Sequence, residues 1–315
     1  MLWLLIFLLV LISVISLYCF IMCFYSSNRK PLDPYGEMHG TQYKAVIEKI
    51  YASTRRMEEV PYEAVSIQSF DGLKLSGRYY HFHDGAPVKI IFHGYRSMAL
   101  RDCAGGFALA RKLGMNVLAV DQRAHGGSEG HVITFGILER RDCLSWITYV
   151  CERFGGQTPI VLSGLSMGAA TVLMATSLPL PENVVCVLAD SPYTSPAEII
   201  KKVCGDKHIS SSVAYPLIRL AAAVYGRFDL EQTSAMEAAA HSPVPVLLIH
   251  GEDDRFVPCH MSRQIHAASK GCTRLVTIPQ AGHGLCYMVD PIRYENECIN
   301  FLREIPALHI PDSAL

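Results

Sequence analysis

The chain has 315 residues and a nearly balanced charge, with 28 lysines and arginines against 29 aspartates and glutamates. It has no basic cluster interleaved with aromatic residues, and this argues against nucleic acid as a partner. Its eleven cysteines are an odd number without C-x-x-C pairs, which favours reduced buried thiols over a disulfide framework or a zinc site. His81 and His83 are interpreted as a surface pair at a strand end, so no metal or cofactor is predicted.

The N-terminus begins with an uncharged, strongly apolar stretch over residues 2–25, long enough to cross a bilayer as a helix. We expect a single-pass transmembrane anchor over residues 1–27. A cleaved signal peptide is the alternative, but the basic segment that precedes such signals is missing and the apolar run is too long. Arg29, Lys30 and Lys44 follow the span, so the positive-inside rule predicts that the rest of the chain faces the cytoplasm.

Residues 28–62 are predicted to form a linker and a lead-in helix. Val46, Ile47 and Ile50 recur at helical spacing within residues 43–56, which predicts an apolar face that docks on the core or on the membrane surface.

Short apolar runs alternate with helical stretches through the rest of the chain, and this favours one α/β domain over residues 63–308 with a tail over 309–315. The pattern predicts a mostly parallel eight-stranded sheet with helices on both faces. Asp71-Gly72 joins the first two strands, which should form an antiparallel hairpin. The predicted strands are 64–69, 73–80, 88–92, 117–121, 159–163, 184–189, 245–250 and 273–278.

About fifty residues separate the sixth and seventh predicted strands, too many for a simple connection. We expect a small helical lid over about 193–243, with helices over 197–203, 211–225 and 231–240. Leu217 and Tyr225 are candidates to line an apolar substrate pocket beneath it. The alternative is that most of its apolar residues bury the insertion on its own domain.

Chemistry is indicated most strongly where the apolar run 160–162 breaks into Gly164-Leu165-Ser166-Met167-Gly168. Glycines on both flanks allow a sharp strand-to-helix turn that presents a serine hydroxyl above the sheet edge. This pattern is a nucleophile elbow, and it predicts acyl transfer by Ser166.

Two partners for a nucleophilic serine follow later strands. His283, between two glycines, comes after the last predicted strand and can act as the base. Three adjacent acids, Glu252, Asp253 and Asp254, follow the strand before it, and one of them can orient the imidazole. Asp190, at the end of an earlier strand, is a rival for that role.

The order serine, acid, histidine is that of the α/β-hydrolases, and several motifs of this chain resemble that superfamily. Gly251, Asp254, Val257 and Pro258 fit its G-x-x-D-x-x-V-P segment, which favours Asp254 as the acid. The chain resembles single-domain bacterial serine hydrolases with a short membrane anchor. More distantly it resembles monoacylglycerol lipases, depalmitoylating thioesterases and dipeptidyl-peptidase-like enzymes.

The resemblance also implies an oxyanion hole. His93-Gly94-Tyr95 resembles the family's H-G-x loop, so the backbone N–H groups of Tyr95 and Met167 are its expected donors. His93 is interpreted as structural. Residues 121–130 resemble the family's D-x-R-G-H-G-x-S loop, with Ala124 in place of a glycine, and are interpreted as scaffold together with Arg123 and His125.

These features predict a serine hydrolase that acts on a small-molecule acyl ester or thioester of moderate chain length. A serine peptidase of the same fold is the alternative, and it would need a charged clamp for a peptide N-terminus. A non-catalytic binding protein is disfavoured, because it has no need of all three groups. Nothing in the sequence indicates an oligomeric state.

Overall fold

The computed structural model describes residues 1–27, 32–38, 40–271 and 273–310. All eight predicted strands are present, each within two residues of its predicted bounds. They are β1 (Glu63–Gln68), β2 (Lys74–Tyr80), β3 (Val88–Phe92), β4 (Asn116–Val120), β5 (Ile160–Leu165), β6 (Val184–Asp190), β7 (Val246–Gly251) and β8 (Thr273–Ile278).

The strands form one sheet in the order β1-β2-β4-β3-β5-β6-β7-β8. β2 is antiparallel to both β1 and β4, and all other neighbours are parallel. The prediction of a mostly parallel eight-stranded sheet is therefore confirmed. Because parallel strands end at the same edge, the loops after β3, β5, β6, β7 and β8 meet there, where α/β folds bind ligands.

Successive side chains of the central strands point to opposite faces of the sheet, and each face has its own core. Ile90 and Leu118 pack in one cluster, and their neighbours Ile91 and Ala119 pack in the other. Both faces are covered by helices, as predicted. The helices outside the β6–β7 insertion are α1 (Leu2–Cys23), α2 (Ile47–Glu58), α3 (Ala99–Asp102), α4 (Ala104–Lys112), α5 (Glu139–Phe154), α6 (Met167–Ala175), α10 (His260–Ala268), α11 (Cys286–Val289) and α12 (Pro291–Arg303).

The segment between β6 and β7 contains α7 (Pro196–Asp206), α8 (Ser211–Ala221), a π-helical turn (Ala222–Gly226) and α9 (Ala235–Ala240). Two of these helices start at serines that accept a hydrogen bond from a glutamate N–H three residues later, Ser195 from Glu198 and Ser234 from Glu237. The Ser234 cap explains why α9 begins four residues after the predicted start.

The apolar N-terminal helix α1 is long and apolar enough to cross a membrane, and most of its side chains are exposed. Its last turn enters the folded domain, because Phe20 and Phe24 are buried in the main core. The chain after it passes a 3₁₀ turn (Thr41–Tyr43) into α2. Val46 and Ile50 pack there against Leu285, in the loop that follows β8.

Candidate active site

Ser166 lies in the turn between β5 and α6 with φ 56° and ψ −115°, a backbone conformation that side-chain-bearing residues rarely adopt. Glycine is required on both sides of Ser166, because other backbone atoms lie too close to leave room for a Cβ. A Cβ on Gly164 would lie 2.2 Å from the carbonyl carbon of Gly168, and one on Gly168 would lie 2.1 Å from the carbonyl oxygen of Phe92. The strained turn is thus held by close backbone packing, and it sets the serine at the carboxyl edge of the sheet.

The loops after β7 and β8 bring the other two predicted groups to Ser166. His283 Nε2 lies 2.9 Å from Ser166 Oγ, and His283 Nδ1 lies 2.7 Å from Asp254 Oδ2. A carboxylate only accepts, so Nδ1 carries the proton and Nε2 is free to accept the serine hydroxyl hydrogen. The three side chains form one continuous hydrogen-bonded chain.

Asp254 is buried and fully engaged. Its Oδ1 accepts the backbone N–H groups of Phe256 and Val257 at 2.9 and 2.8 Å. Burial by itself would raise the pKa of Asp254, but hydrogen bonds from His250 and His283 outweigh it and hold the pKa below its usual range. The carboxylate is therefore ionised and can stabilise a protonated His283.

His250 is a neighbour of this carboxylate that sequence reasoning missed. It is wholly buried at the end of β7, with Nε2 3.3 Å from Asp254 Oδ2. The same Nε2 lies 2.8 Å from the Val257 carbonyl oxygen, and Nδ1 lies 2.6 Å from Ser262 Oγ. These contacts tie Asp254 to β7 and α10. The signal in the sequence that could have indicated this neighbour is the position of His250, directly before Gly251 and four residues before Asp254.

The rival acid, Asp190, occupies a different place. Its carbonyl oxygen accepts the N–H of Ser166 at 2.8 Å, and its carboxyl group accepts from Ser191 Oγ at 2.9 Å. Burial raises the pKa of this carboxyl. No hydrogen bond joins Asp190 to His283, both of which the structure describes. Of the two acids, Asp254 is the one whose position and ionisation suit an orienting role.

The loop after β3 holds the Tyr95 backbone N–H between two anchored neighbours. The Gly94 N–H donates to Asp102 Oδ2 at 2.9 Å, and the Arg96 N–H donates to His125 Nε2 at 2.9 Å. The Tyr95 N–H has no acceptor among the residues that the structure describes. A Cβ on Gly94 would lie 3.1 Å from Asp102 Oδ2, a tight contact that would push against this carboxylate.

The second expected donor, Met167 N–H, is at the first position of α6. An N–H at that position has no partner within its own helix, and the N-cap residue Ser166 provides no side-chain cap. Both expected oxyanion donors are therefore available beside the serine.

Two buried histidines fix this part of the site through neutral rings. Burial lowers the pKa of His125 to about 4 and also lowers the pKa of His93. His93 Nε2 accepts the N–H of Gln122, and its Nδ1 donates to the carbonyl of Gly94.

In the loop after β4, Arg123 binds two carboxylates, those of Asp71 and Asp142. Ala124 has φ 62°, a backbone conformation that glycine adopts more readily than alanine.

A cavity of about 340 Å³ opens beside Ser166. Neither Leu217 nor Tyr225 lines it, and nor does any other residue of 193–243, a segment that the structure describes completely. Leu217 is half-buried on α8, and Tyr225 contacts α1, so their predicted role in substrate binding stays a prediction. The lead-in segment and the segments after β7 and β8 contribute part of the apolar lining: Met38, Tyr43, Ile50, Phe256, Leu285, Tyr287 and Met288. Ile91, Leu165 and Tyr294 add further apolar surface.

The lead-in segment also contacts the loop that carries His283. The His283 N–H donates to Gln42 Oε1 at 3.3 Å, and the Tyr43 hydroxyl donates to the His283 carbonyl at 3.5 Å. The sequence predicts a linker and a lead-in helix here, and no local pattern in it indicates these contacts.

Within the described ranges, no group of three or more histidine, cysteine or carboxylate side chains could hold a metal ion. The ten cysteines in those ranges are all free thiols, and Cys272 lies outside the described residues.

The fold and site can be compared with known proteins. The chain is 23% identical over 254 residues to the uncharacterized protein YqkD of Bacillus subtilis, covering 80% of this chain and 82% of YqkD. It is 26% identical over 229 residues to the uncharacterized protein YfhR of Escherichia coli, covering 70% and 73%. Its fold resembles the Pyrococcus furiosus esterase Pf2001, with a TM-score of 0.65 at 22% identity over 88% of this chain and 99% of the esterase.

The model of the alpha/beta hydrolase family matches residues 90–297, which is more than half of the chain and includes all three hydrogen-bonded side chains of the site. The chain therefore belongs to the alpha/beta hydrolase family.

Proposed function

We propose that this protein hydrolyses carboxylic acyl esters or thioesters through a covalent acyl-enzyme, with Ser166 as nucleophile, His283 as base and Asp254 as the orienting acid. The observation that carries the proposal is the hydrogen-bonded chain from Ser166 Oγ through both ring nitrogens of His283 to Asp254, at 2.9 and 2.7 Å. These distances lie within the range at which a base removes the proton of a serine nucleophile.

In the first half-reaction, Ser166 Oγ forms a bond to the acyl carbon while its proton passes to His283 Nε2. The bond to the alcohol or thiol then breaks, and the leaving group takes that proton. In the second half-reaction, water gives its proton to Nε2, attacks the acyl carbon and releases the acid, and Ser166 recovers its proton. Asp254 stays ionised and stabilises the imidazolium in both halves.

The negative charge of each tetrahedral intermediate falls on the former carbonyl oxygen. The Tyr95 and Met167 N–H groups are the donors that would bind it, and removing one such donor typically costs about 10²–10³ in kcat. Asp102 and His125 hold the residues on either side of Tyr95 and so support the geometry of this hole.

The cavity favours an acyl substrate over a peptide. Its volume of about 340 Å³ and its apolar lining suit an acyl group of moderate length. A peptidase would need a free carboxylate to clamp the peptide N-terminus. The two carboxyl groups in the lining, Asp102 and Asp190, are already engaged by Gly94 and Ser97 and by Ser191.

We further propose that α1 is retained as a single-pass anchor and is not a cleaved signal. Phe24 is fully buried in the main core, so cleavage after the apolar span would remove a core side chain. The cytoplasmic orientation is proposed from Lys44 with Arg29 and Lys30, two residues that lie outside those described. Protease access to the domain in intact cells tests it, and cleavage from outside would overturn the orientation.

A fluorophosphonate probe, which reacts with activated serines, together with a matched substrate panel tests the activity. The full-length protein in detergent should label at Ser166, and it should hydrolyse p-nitrophenyl butyrate and octanoate and the corresponding acyl thioesters faster than p-nitroanilides. Ser166→Ala should abolish both labelling and turnover. An unlabelled wild type, or an alanine variant that labels equally well, would refute the proposal, and preferred cleavage of anilides would support the peptidase.

A further inference from the structure

The C-terminal turn of α1 is built into the hydrolase domain. Phe24 packs edge-on against Phe135 and Phe228, at ring distances of 5.8 and 5.3 Å. Tyr25 pairs with Val132 in an antiparallel bridge, and the Ile133 N–H donates to the Phe24 carbonyl at 2.8 Å. The exit of the apolar helix is thus a fixed part of the domain.

The carbonyl groups at this end of α1 are bound by the loop that carries the proposed oxyanion donor. The last carbonyls of a helix lack partners within the helix and carry its negative dipole end. Arg96 Nη2 donates to the carbonyls of Met22 and Tyr25, each at 3.0 Å, and the Tyr95 hydroxyl donates to the Cys23 carbonyl at 2.8 Å. Two consecutive side chains therefore cap the helix.

The contacts around these two side chains are tight. The Tyr95 ring stacks on Phe135 at 5.0 Å, and the Arg96 guanidinium lies 5.2 Å from the centre of the Tyr95 ring. Burial raises the pKa of the Tyr95 phenol to about 12, so it remains a hydrogen-bond donor at neutral pH. Arg96 itself has φ 49°, so the loop reverses sharply just after the Tyr95 N–H.

We propose that the C-terminal turn of the apolar helix α1 holds the oxyanion hole in its catalytic geometry, with the side chains of Tyr95 and Arg96 as the positioning residues. The inference rests on the proposed hydrolase activity. Tyr95 would act in two ways, since its backbone N–H is a proposed oxyanion donor and its side chain is fixed to the helix. It follows that turnover depends on a helix that contributes no group to the chemistry.

Side-chain substitutions in the full-length protein in detergent or nanodiscs test this, because they leave the Tyr95 N–H in place. Displacing a catalytic group by about 1 Å can cost about 10²-fold in rate. We expect Tyr95→Phe and Arg96→Gln each to lower kcat by about tenfold or more while KM changes by less than about threefold. Arg96→Lys should recover part of the loss, since an ammonium can also donate to the carbonyls.

Arg219→Gln and Tyr215→Phe are matched controls. Both residues lie on α8, which also packs on α1, but their polar groups bind Glu231 and not the end of α1. They should keep wild-type kcat. Each kcat is divided by the number of serines that the fluorophosphonate probe titrates, so loss of folded protein does not count as loss of catalysis.

The outcomes separate the two proposals. A wild type that neither labels nor cleaves esters refutes the hydrolase, and with it this inference. An active wild type with Tyr95→Phe and Arg96→Gln at wild-type kcat per titrated site refutes the inference alone. The inference is also refuted if a smaller number of titrated serines explains the whole loss of activity in these two variants. It is refuted as well if Arg219→Gln and Tyr215→Phe lose as much kcat.

Discussion

Asp254→Asn should remove most of the activity by forcing the wrong tautomer on His283. The Phe256 and Val257 N–H groups both donate to Asp254 Oδ1, so the amide oxygen of asparagine must take that position. The amide NH₂ then faces His283 Nδ1, which must become an acceptor. The ring proton moves to Nε2, and Nε2 can no longer accept from Ser166.

The expected size of the effect is large. The equivalent change in a Ser-His-Asp enzyme costs about 10⁴ in kcat. At about 1.4 kcal/mol per tenfold, this corresponds to about 5.5 kcal/mol of transition-state stabilisation. The same NH₂ also faces the Nε2–H of His250, 3.3 Å from the original Oδ2, so the substitution removes a second hydrogen bond at this position. The backbone N–H groups of Phe256 and Val257 cannot change protonation, and they still fix the amide oxygen at the Oδ1 position.

The assay is hydrolysis of p-nitrophenyl butyrate by the full-length protein, with thermal unfolding to confirm that each variant is folded. Asp253→Asn is the matched control, since Asp253 is the exposed neighbour, and its kcat should stay within about twofold of wild type because an exposed substitution away from the site perturbs little. Activity of Asp254→Asn within tenfold of wild type, or a larger loss in Asp190→Asn, would refute the tautomer argument.

Three further substitutions test the scaffold of the site by thermal or denaturant unfolding. Gly168→Ala should destabilise the protein by about 1–3 kcal/mol and slow probe labelling, because its Cβ meets the Phe92 carbonyl; unchanged stability would contradict the close packing. Phe24→Ala should cost about 3–5 kcal/mol, and a neutral result would mean that the end of α1 is not part of the core. Lys89→Met should stabilise the protein by about 1–3 kcal/mol at neutral pH, since Lys89 is buried with the Gly106 carbonyl as acceptor. Burial lowers the pKa of Lys89 in the folded protein from 10.5, so below that pH the unfolded chain binds more protons than the folded one. The stabilisation by Lys89→Met should therefore shrink as pH rises toward 10.5, and a stabilisation independent of pH would contradict this reasoning.

The strands could be predicted because buried parallel strands are short apolar runs bounded by turns, and the serine and histidine because they follow such runs. The acid needed more than position. Three adjacent acids follow β7, and only the resemblance of Gly251, Asp254, Val257 and Pro258 to the G-x-x-D-x-x-V-P segment of the α/β-hydrolases favours Asp254 over its neighbours. The Val257 N–H in fact donates to the chosen carboxylate, which gives that spacing a physical reason.

Other parts of the site could not be predicted, because they depend on contacts between distant segments. Periodicity shows that one face of a helix is apolar but not what covers it. The contact of the Tyr225 hydroxyl with Ser13 in α1 is one that such a pattern does not reveal. Gln42 gave no local signal at all, since its contact with His283 joins residues 241 positions apart.

The position of Gln42 and Tyr43 has one more consequence, for how substrate can enter. Both residues line the cavity, and both form hydrogen bonds with the backbone of His283. Any shift of this stretch that widens the entrance must also loosen His283. On the proposed mechanism, admission of substrate and positioning of His283 would therefore be coupled, and a conformation with a wider entrance would lack these two hydrogen bonds to the His283 backbone.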